Sequence, residues 1–273
     1  MKKQSLFIIT IFVIIILQFS TQVSAQAIGG LSASKLNTLT AQEVGQGNIE
    51  FEPYFGYAAT RHYFDHNRKV HKLFMNNDSI QKFSAFGFRF TYGIMKNMEI
   101  GISLPVDVSE VKFGLKYQLP RLGKLQWALL AGYNNITGNQ AYSRRNACHE
   151  STPSVIGGLI LSYPISKKWS IDFDAQYQKH TASTIDNHSQ GLYLNSDVGY
   201  YLLENINFIV GLNYNCQNFD TAENNSELFT INTGVAIERA KNFILVINAP
   251  FDIMGKNEYR TKGFGMALTI LLD

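Results

Sequence analysis

Residues 169–179 read WSIDFDAQYQK. Ile171, Phe173, Ala175 and Tyr177 alternate with Asp172, Asp174, Gln176 and Gln178. A β-strand with this order puts an apolar, aromatic row on one face and a row of carboxylates and amides on the other. The apolar row needs an oily surround, while the acids need water or a partner. The run is about as long as a tilted strand that crosses a bilayer, roughly 9–11 residues. Buried charge on one face and apolar rings on the other describe a strand between lipid and a lumen.

The same period recurs on both sides. In 49–57, Ile49, Phe51, Phe55 and Tyr57 oppose Glu50, Glu52 and Tyr54, and in 83–94 Phe86, Phe88, Phe90 and Tyr92 oppose Gly87, Arg89, Thr91 and Gly93. Residues 98–104 and 111–118 oppose Glu99 and then Lys112 and Lys116 to apolar rows. Further runs occupy 125–137, 155–163, 191–202, 206–217, 228–238, 243–249 and 263–272, which makes twelve. Connectors 95–97, 120–124, 166–168, 203–205 and 240–242 are tight and follow every second run, whereas 58–82 and 138–154 are long and 105–110 is a short exception. Tyr92, Tyr117, Trp127, Tyr163, Trp169 and Tyr200 fall on the apolar phase beside short turns, and Tyr57, Tyr133, Tyr177 and Tyr214 beside long loops. Short turns at one rim, long loops at the other and two aromatic girdles predict an all-β, transmembrane, antiparallel up-and-down β-barrel of twelve strands. Arginine at Phe173 is then expected to be costly, and at inward Gln176 mild.

Residues 1–25 read as a cleaved signal peptide. Lys2 and Lys3 precede the apolar core Leu6 to Leu17, and Val23-Ser24-Ala25 forms a small-residue cleavage site. That core is short of the roughly 20 residues a helical anchor needs, so export to the outer membrane of a Gram-negative cell is expected. Residues 26–47 are polar and aperiodic, a periplasmic segment that could enter the lumen, and 48–273 is the barrel. Removing two lysines from the 24 basic residues leaves 22 against 21 acids, which gives no electrostatic case for nucleic acid. The expected partners are outer-membrane lipid, the barrel-assembly machinery and a small-molecule solute. The chain ends Leu271-Leu272-Asp273 instead of on the aromatic that this machinery often reads.

The inward phase carries Glu50, Glu52, Arg89, Glu99, Lys112, Lys116, Asp172, Asp174, Asp197 and Glu238, the candidate lumen-lining residues. Mixed charge there is consistent with a structural ion-pair network or with a constriction that selects solutes. Inward glycines, among them Gly87, Gly93, Gly101, Gly114, Gly132 and Gly211, permit bending and close packing or leave room in the lumen. Cys148 and Cys216 fall near the outer rim on segments that are not neighbours, so two free thiols are expected. His62, His66, His71, His149, His180 and His188 all fall in or beside outer loops. His62, Asp65, His66 and His71 are close enough in sequence to suggest a metal site, but His62 and His66 would share a face only on a helix, and that loop lacks a helical period, so no metal is assigned. His149-Glu150-Ser151 lacks a third orienting group for a nucleophile, so no catalytic residue or cofactor is assigned either.

The stretch RFTYGIMKNMEIGISLPVDVSEVKFGLKYQL, residues 89–119, resembles the outer-membrane barrel family named for the meta-pathway of phenol degradation. Tyr92-Gly93 turns into Met98-Glu99-Ile100-Gly101, and Gly114 to Tyr117 supplies the Gly-Leu-Lys-Tyr strand. The Gly-Asp that usually precedes this strand is replaced by Val108-Ser109-Glu110. The resemblance implies passage of small, often hydrophobic molecules, without naming phenol as the substrate. The expectation is therefore passive solute passage. A closed structural or partner-binding barrel is the alternative, and a lipid-modifying enzyme a remote one.

Overall fold

A computed structural model describes residues 28–32, 36–76, 78–106, 110–136, 153–181, 188–219, 225–240 and 242–272. The expected signal peptide, Cys148, His149 and the neighbouring positions 137–152 lie outside these residues. The strands are β1 (Ile49–Phe64), β2 (Val70–Lys72), β3 (Gln81–Met95), β4 (Met98–Pro105), β5 (Glu110–Gln118), β6 (Gln126–Ile136) and β7 (Ser154–Pro164). They continue with β8 (Trp169–His180), β9 (His188–Leu203), β10 (Ile206–Phe219), β11 (Ser226–Ala240), β12 (Phe243–Lys256) and β13 (Glu258–Leu272).

Twelve of these form one antiparallel barrel in chain order, closed by β13 on β1 from Ile49↔Leu272 to Phe64↔Glu258. Short β2 stands outside that count, paired only with the end of β1. Closure satisfies every strand edge, a requirement where lipid offers no hydrogen bonds. The alternation follows the expected phase. Phe90, Tyr92, Phe113, Tyr117, Trp169 and Tyr177 are exposed on the outer face, while Arg89, Glu99, Lys116, Asp174 and Gln176 are buried. At the tight rim Asn97, at φ 68°, and Gly123, at φ 62°, take the left-handed conformation that such turns require.

Two expected loops are largely strand. Instead of a 58–82 loop, β1 continues to Phe64 and turns back through β2. Asp65 Oδ1 accepts from Asn67 N and Lys69 N, both at 2.8 Å, to close that turn. Instead of a 250–262 loop, β12 and β13 run on until Asn257 alone joins them. These overhangs stand beyond the aromatic girdle, where the outer face meets water and no longer has to be apolar, while Ala58, Thr60 and Phe64 stay buried on the inner face. The hairpin crosses the rim, with Arg68 on Glu227 of β11 at 2.6 Å and Phe64 buried over Gly255 of β12.

Candidate functional site: the occupied lumen

The ten charged residues fall into three groups on the inner wall. Arg89 on β3 lies 2.5 Å from Glu50 and 2.9 Å from Glu52, both on β1, and Thr269 of β13 donates to Glu52. Lys116 on β5 pairs with Glu99 on β4 at 2.9 Å, and both side chains are wholly excluded from solvent. Lys112 lies 3.4 Å from Glu110 on the same strand. The third group is acidic. Asp172 and Asp197 are directly opposed across β8 and β9, and Asp174 accepts from Asn195 of β9 at 3.0 Å. Glu238 of β11 accepts from Tyr201 of β9 at 2.8 Å.

The N-terminal segment runs through the barrel and uses these groups. Glu99 accepts from Ser32 N and Val44 N, each at 2.9 Å, and Lys116 Nζ donates to the carbonyls of Thr40 (2.9 Å) and Gln42 (2.7 Å). On β8, Asp174 accepts from Leu39 N at 2.8 Å and Gln176 from Ile28 N at 3.0 Å. Ala41 N donates to Ser162 of β7 at 3.0 Å. Ile28, Leu31, Leu39 and Ala41 pack on inward Ala128, Leu130, Ile156 and Ile160, and Leu36 crosses to Ile209, Ala236 and Val246. A buried backbone amide needs an acceptor, and here the wall's carboxylates and amides supply it.

The inward glycines give the segment its track. A Cβ on Gly93 would stand 1.8 Å from the carbonyl oxygen of Gly45, and one on Gly101 would stand 1.5 Å from that of Gly30. These are backbone atoms that cannot rotate away. Gly101→Ala is expected to displace residues 28–32, cost about 1–3 kcal/mol as overpacking and raise single-channel conductance while β-structure is retained. Unchanged conductance together with unchanged stability would contradict this track.

Beside the segment two cavities remain. One, of about 440 Å³, opens toward the tight-turn rim between Glu43–Val44 and the ends of β8–β13. The other, of about 290 Å³, lies outward of it along β1, β12 and β13. Glu50, Ile244 and Thr269 border both, so the two cavities adjoin at the Arg89 cluster. Together they leave space between the inserted segment and the wall of β1 and β9–β13. Water and small solutes are the occupants that its size admits.

Several residues of this interior were absent from the sequence-based set. The anchors Ser32, Thr91, Ser162 and Gln176 carry no charge to mark them. Apolar Ile156 and Ile160 point inward from VIGGLILSY, residues 155–163. That run is apolar on both phases, and the missing alternation was the available sign of an apolar occupant. Among the outer histidines, His71 pairs with Asp65 at 2.8 Å and His66 contacts Asn67. Among the described residues no group of three His, Cys, Asp or Glu is placed to hold a metal ion. Cys216 lies on the outward phase of β10 beside the long-loop rim.

The sequence profile of the family described as "Putative MetA-pathway of phenol degradation" matches residues 107–270. The match takes in the Gly114–Tyr117 strand and leaves the Tyr92–Gly101 motif outside its span. No curated protein matches the chain. Among solved structures it is similar to an outer-membrane channel from Pseudomonas putida F1, with a TM-score of 0.61 at 12% identity over 83% of this chain and 96% of that one. It is also similar to the NanC porin, with a TM-score of 0.54 at 8% identity over 81% and 98% of the two chains. At these identities the likeness is one of fold.

Proposed function

This chain belongs to the phenol-degradation family of outer-membrane β-barrels, and we propose that it conducts small solutes passively across the outer membrane, along the gap between its inserted segment and the wall of β1 and β9–β13. The observation that carries this reading is the pair of cavities of mixed polar and apolar lining, one toward each rim, which share Glu50, Ile244 and Thr269. The family match and the likeness to barrels that are themselves a channel and a porin support it. We read the chain as a conduit and not an enzyme, with lipid around the aromatic outer face and the barrel-assembly machinery as its route into the membrane. One observation favours a closed barrel instead. The segment is tied to β4, β5, β7 and β8 by wall side chains and leaves no wide pore.

Planar bilayers separate the two readings. A conduit gives discrete conductance steps that change in Arg89→Gln and Asp172→Asn and grow when residues 26–47 are deleted. A folded protein that stays silent both before and after the deletion would reject passage through the lumen and leave the closed barrel.

A further inference from the structure

Cations gather on the outer wall of the barrel where β3, β1 and β13 run side by side. Lys82 of β3 and Lys262 of β13 are both in register with Ala59 of β1, one on each side of it. Lys262 lies two residues from exposed Phe264 along β13, so it keeps the outward phase, and paired residues share that face. Arg260 follows two residues further on the same phase, opposite His62. All three cations are exposed. Two strand spacings set the backbones of Lys82 and Lys262 about 10 Å apart, with only the methyl group of Ala59 between them.

Directly beneath this row is the outer girdle. Tyr57 pairs with Ser84 and Phe264, and below it Phe55 pairs with Phe86 and Met266. Tyr57, Phe264 and Met266 are exposed on the lipid-facing side. Phe251 of β12, exposed as well, is in register with Lys262 itself. The cations therefore stand where hydrocarbon gives way to headgroups.

The barrel makes no use of these charges. Among the described residues the side chains of Lys82, Arg260 and Lys262 form no ion pair or hydrogen bond. No acid is in register with any of them. Glu258, the next outward position on β13, stands at the hairpin tip, one step further from lipid. Next past Tyr133, Tyr177 and Tyr214 on other strands come Asn135, Lys179 and Cys216, so the clustering belongs to this sector.

We propose that this patch binds a phosphorylated glycolipid of the outer leaflet. The lipid's phosphates meet Lys82, Lys262 and Arg260, and its acyl chains lie along Tyr57, Phe264 and Met266. Ammonium and guanidinium groups make charge-assisted hydrogen bonds to phosphate oxygens, the strong class for such a ligand. Dissolved phosphate offers the same headgroup chemistry, but the apolar column in register beneath the cations suits a ligand with a hydrocarbon tail. The site lies on the outer wall and is independent of passage through the lumen.

The test is native mass spectrometry of the full barrel in nonionic detergent, titrated with diphosphoryl lipid A. The same glycolipid stripped of phosphate, phosphatidylglycerol and inorganic phosphate are the comparison probes. One-to-one retention of the diphosphoryl lipid is expected. Cations near an anionic lipid surface contribute about fivefold each, so Lys82→Gln, Arg260→Gln and Lys262→Gln together should weaken retention about a hundredfold. Lys179→Gln, an outward cation on β8, should leave it unchanged. Heat-modifiable migration on gels reports folding. Should the triple variant not fold, Lys82→Gln and Lys262→Gln singly, each losing about fivefold, carry the comparison. Equal retention of the stripped glycolipid or of phosphatidylglycerol, equal weakening by Lys179→Gln, full displacement by inorganic phosphate, or no retention at all would each overturn the proposal.

Discussion

A Lys116→Met barrel is expected to be less stable than the wild type by about 3–5 kcal/mol, the usual loss when one member of a buried ion pair is removed. Lys116 and Glu99 are both fully excluded from solvent, 2.9 Å apart. The ammonium also donates to two carbonyls of the inserted segment, those of Thr40 and Gln42. Methionine fills the same volume, so the change deletes charge and hydrogen bonds without opening a large hole. It leaves the Glu99 carboxylate buried with only the donors of Ser32 and Val44. Urea unfolding of protein refolded into phospholipid vesicles, followed by the fluorescence of Trp127 and Trp169, measures the loss. Adding Glu99→Gln should restore about half of it, because the stranded charge is gone and the amide oxygen still accepts from Ser32, while Val44 N, which donates to the other carboxylate oxygen, loses its acceptor. A single variant within about 1 kcal/mol of wild type would show that the pair does not clamp the segment.

Arginine at Phe173 is expected to cost about 2–4 kcal/mol, since it places a cation against lipid near mid-membrane. Phe173 lies on the outward phase of β8, between Trp169 near one girdle and Tyr177 near the other. Gln176, the inward comparison suggested by alternation, is not a neutral reference. It is fully buried and accepts from Ile28 N, so an arginine there would collide with the inserted segment. Asp172→Arg is the proper control, because Asp172 is half-buried at the inner cavity. It is expected to cost about 1 kcal/mol or less, since lumen substitutions tune selectivity more than stability. The same urea titration applies to both variants. Equal losses at Phe173 and Asp172 would reject the facing of β8.

By itself the sequence determined which residues face lipid and which face inward, and with them the strand count. The bilayer imposes one rule on every spanning strand, so the period in Ile171, Phe173, Ala175 and Tyr177 could be read without knowing what the strand pairs with. Where that rule lapses, legibility lapsed too. β1 beyond Tyr57 and the β12–β13 overhang meet water in place of lipid on their outer face, and their charged, Pro-containing sequence resembled loops. The interior was decided only by the tertiary structure. Residues 28–32 and 36–44 hold to the wall largely through their own backbone N–H and C=O groups, which every residue carries alike, so no side-chain pattern announced the contact. The glycines at 93 and 101, read in sequence as bends or empty room, are the places where one backbone passes over another. Whether inward charges pair between adjacent strands, as Arg89 of β3 does with Glu50 and Glu52 of β1, or gather as Asp172, Asp197 and Glu238 do, depends on which strands the closed barrel makes neighbours. Alternation along a single strand cannot encode that.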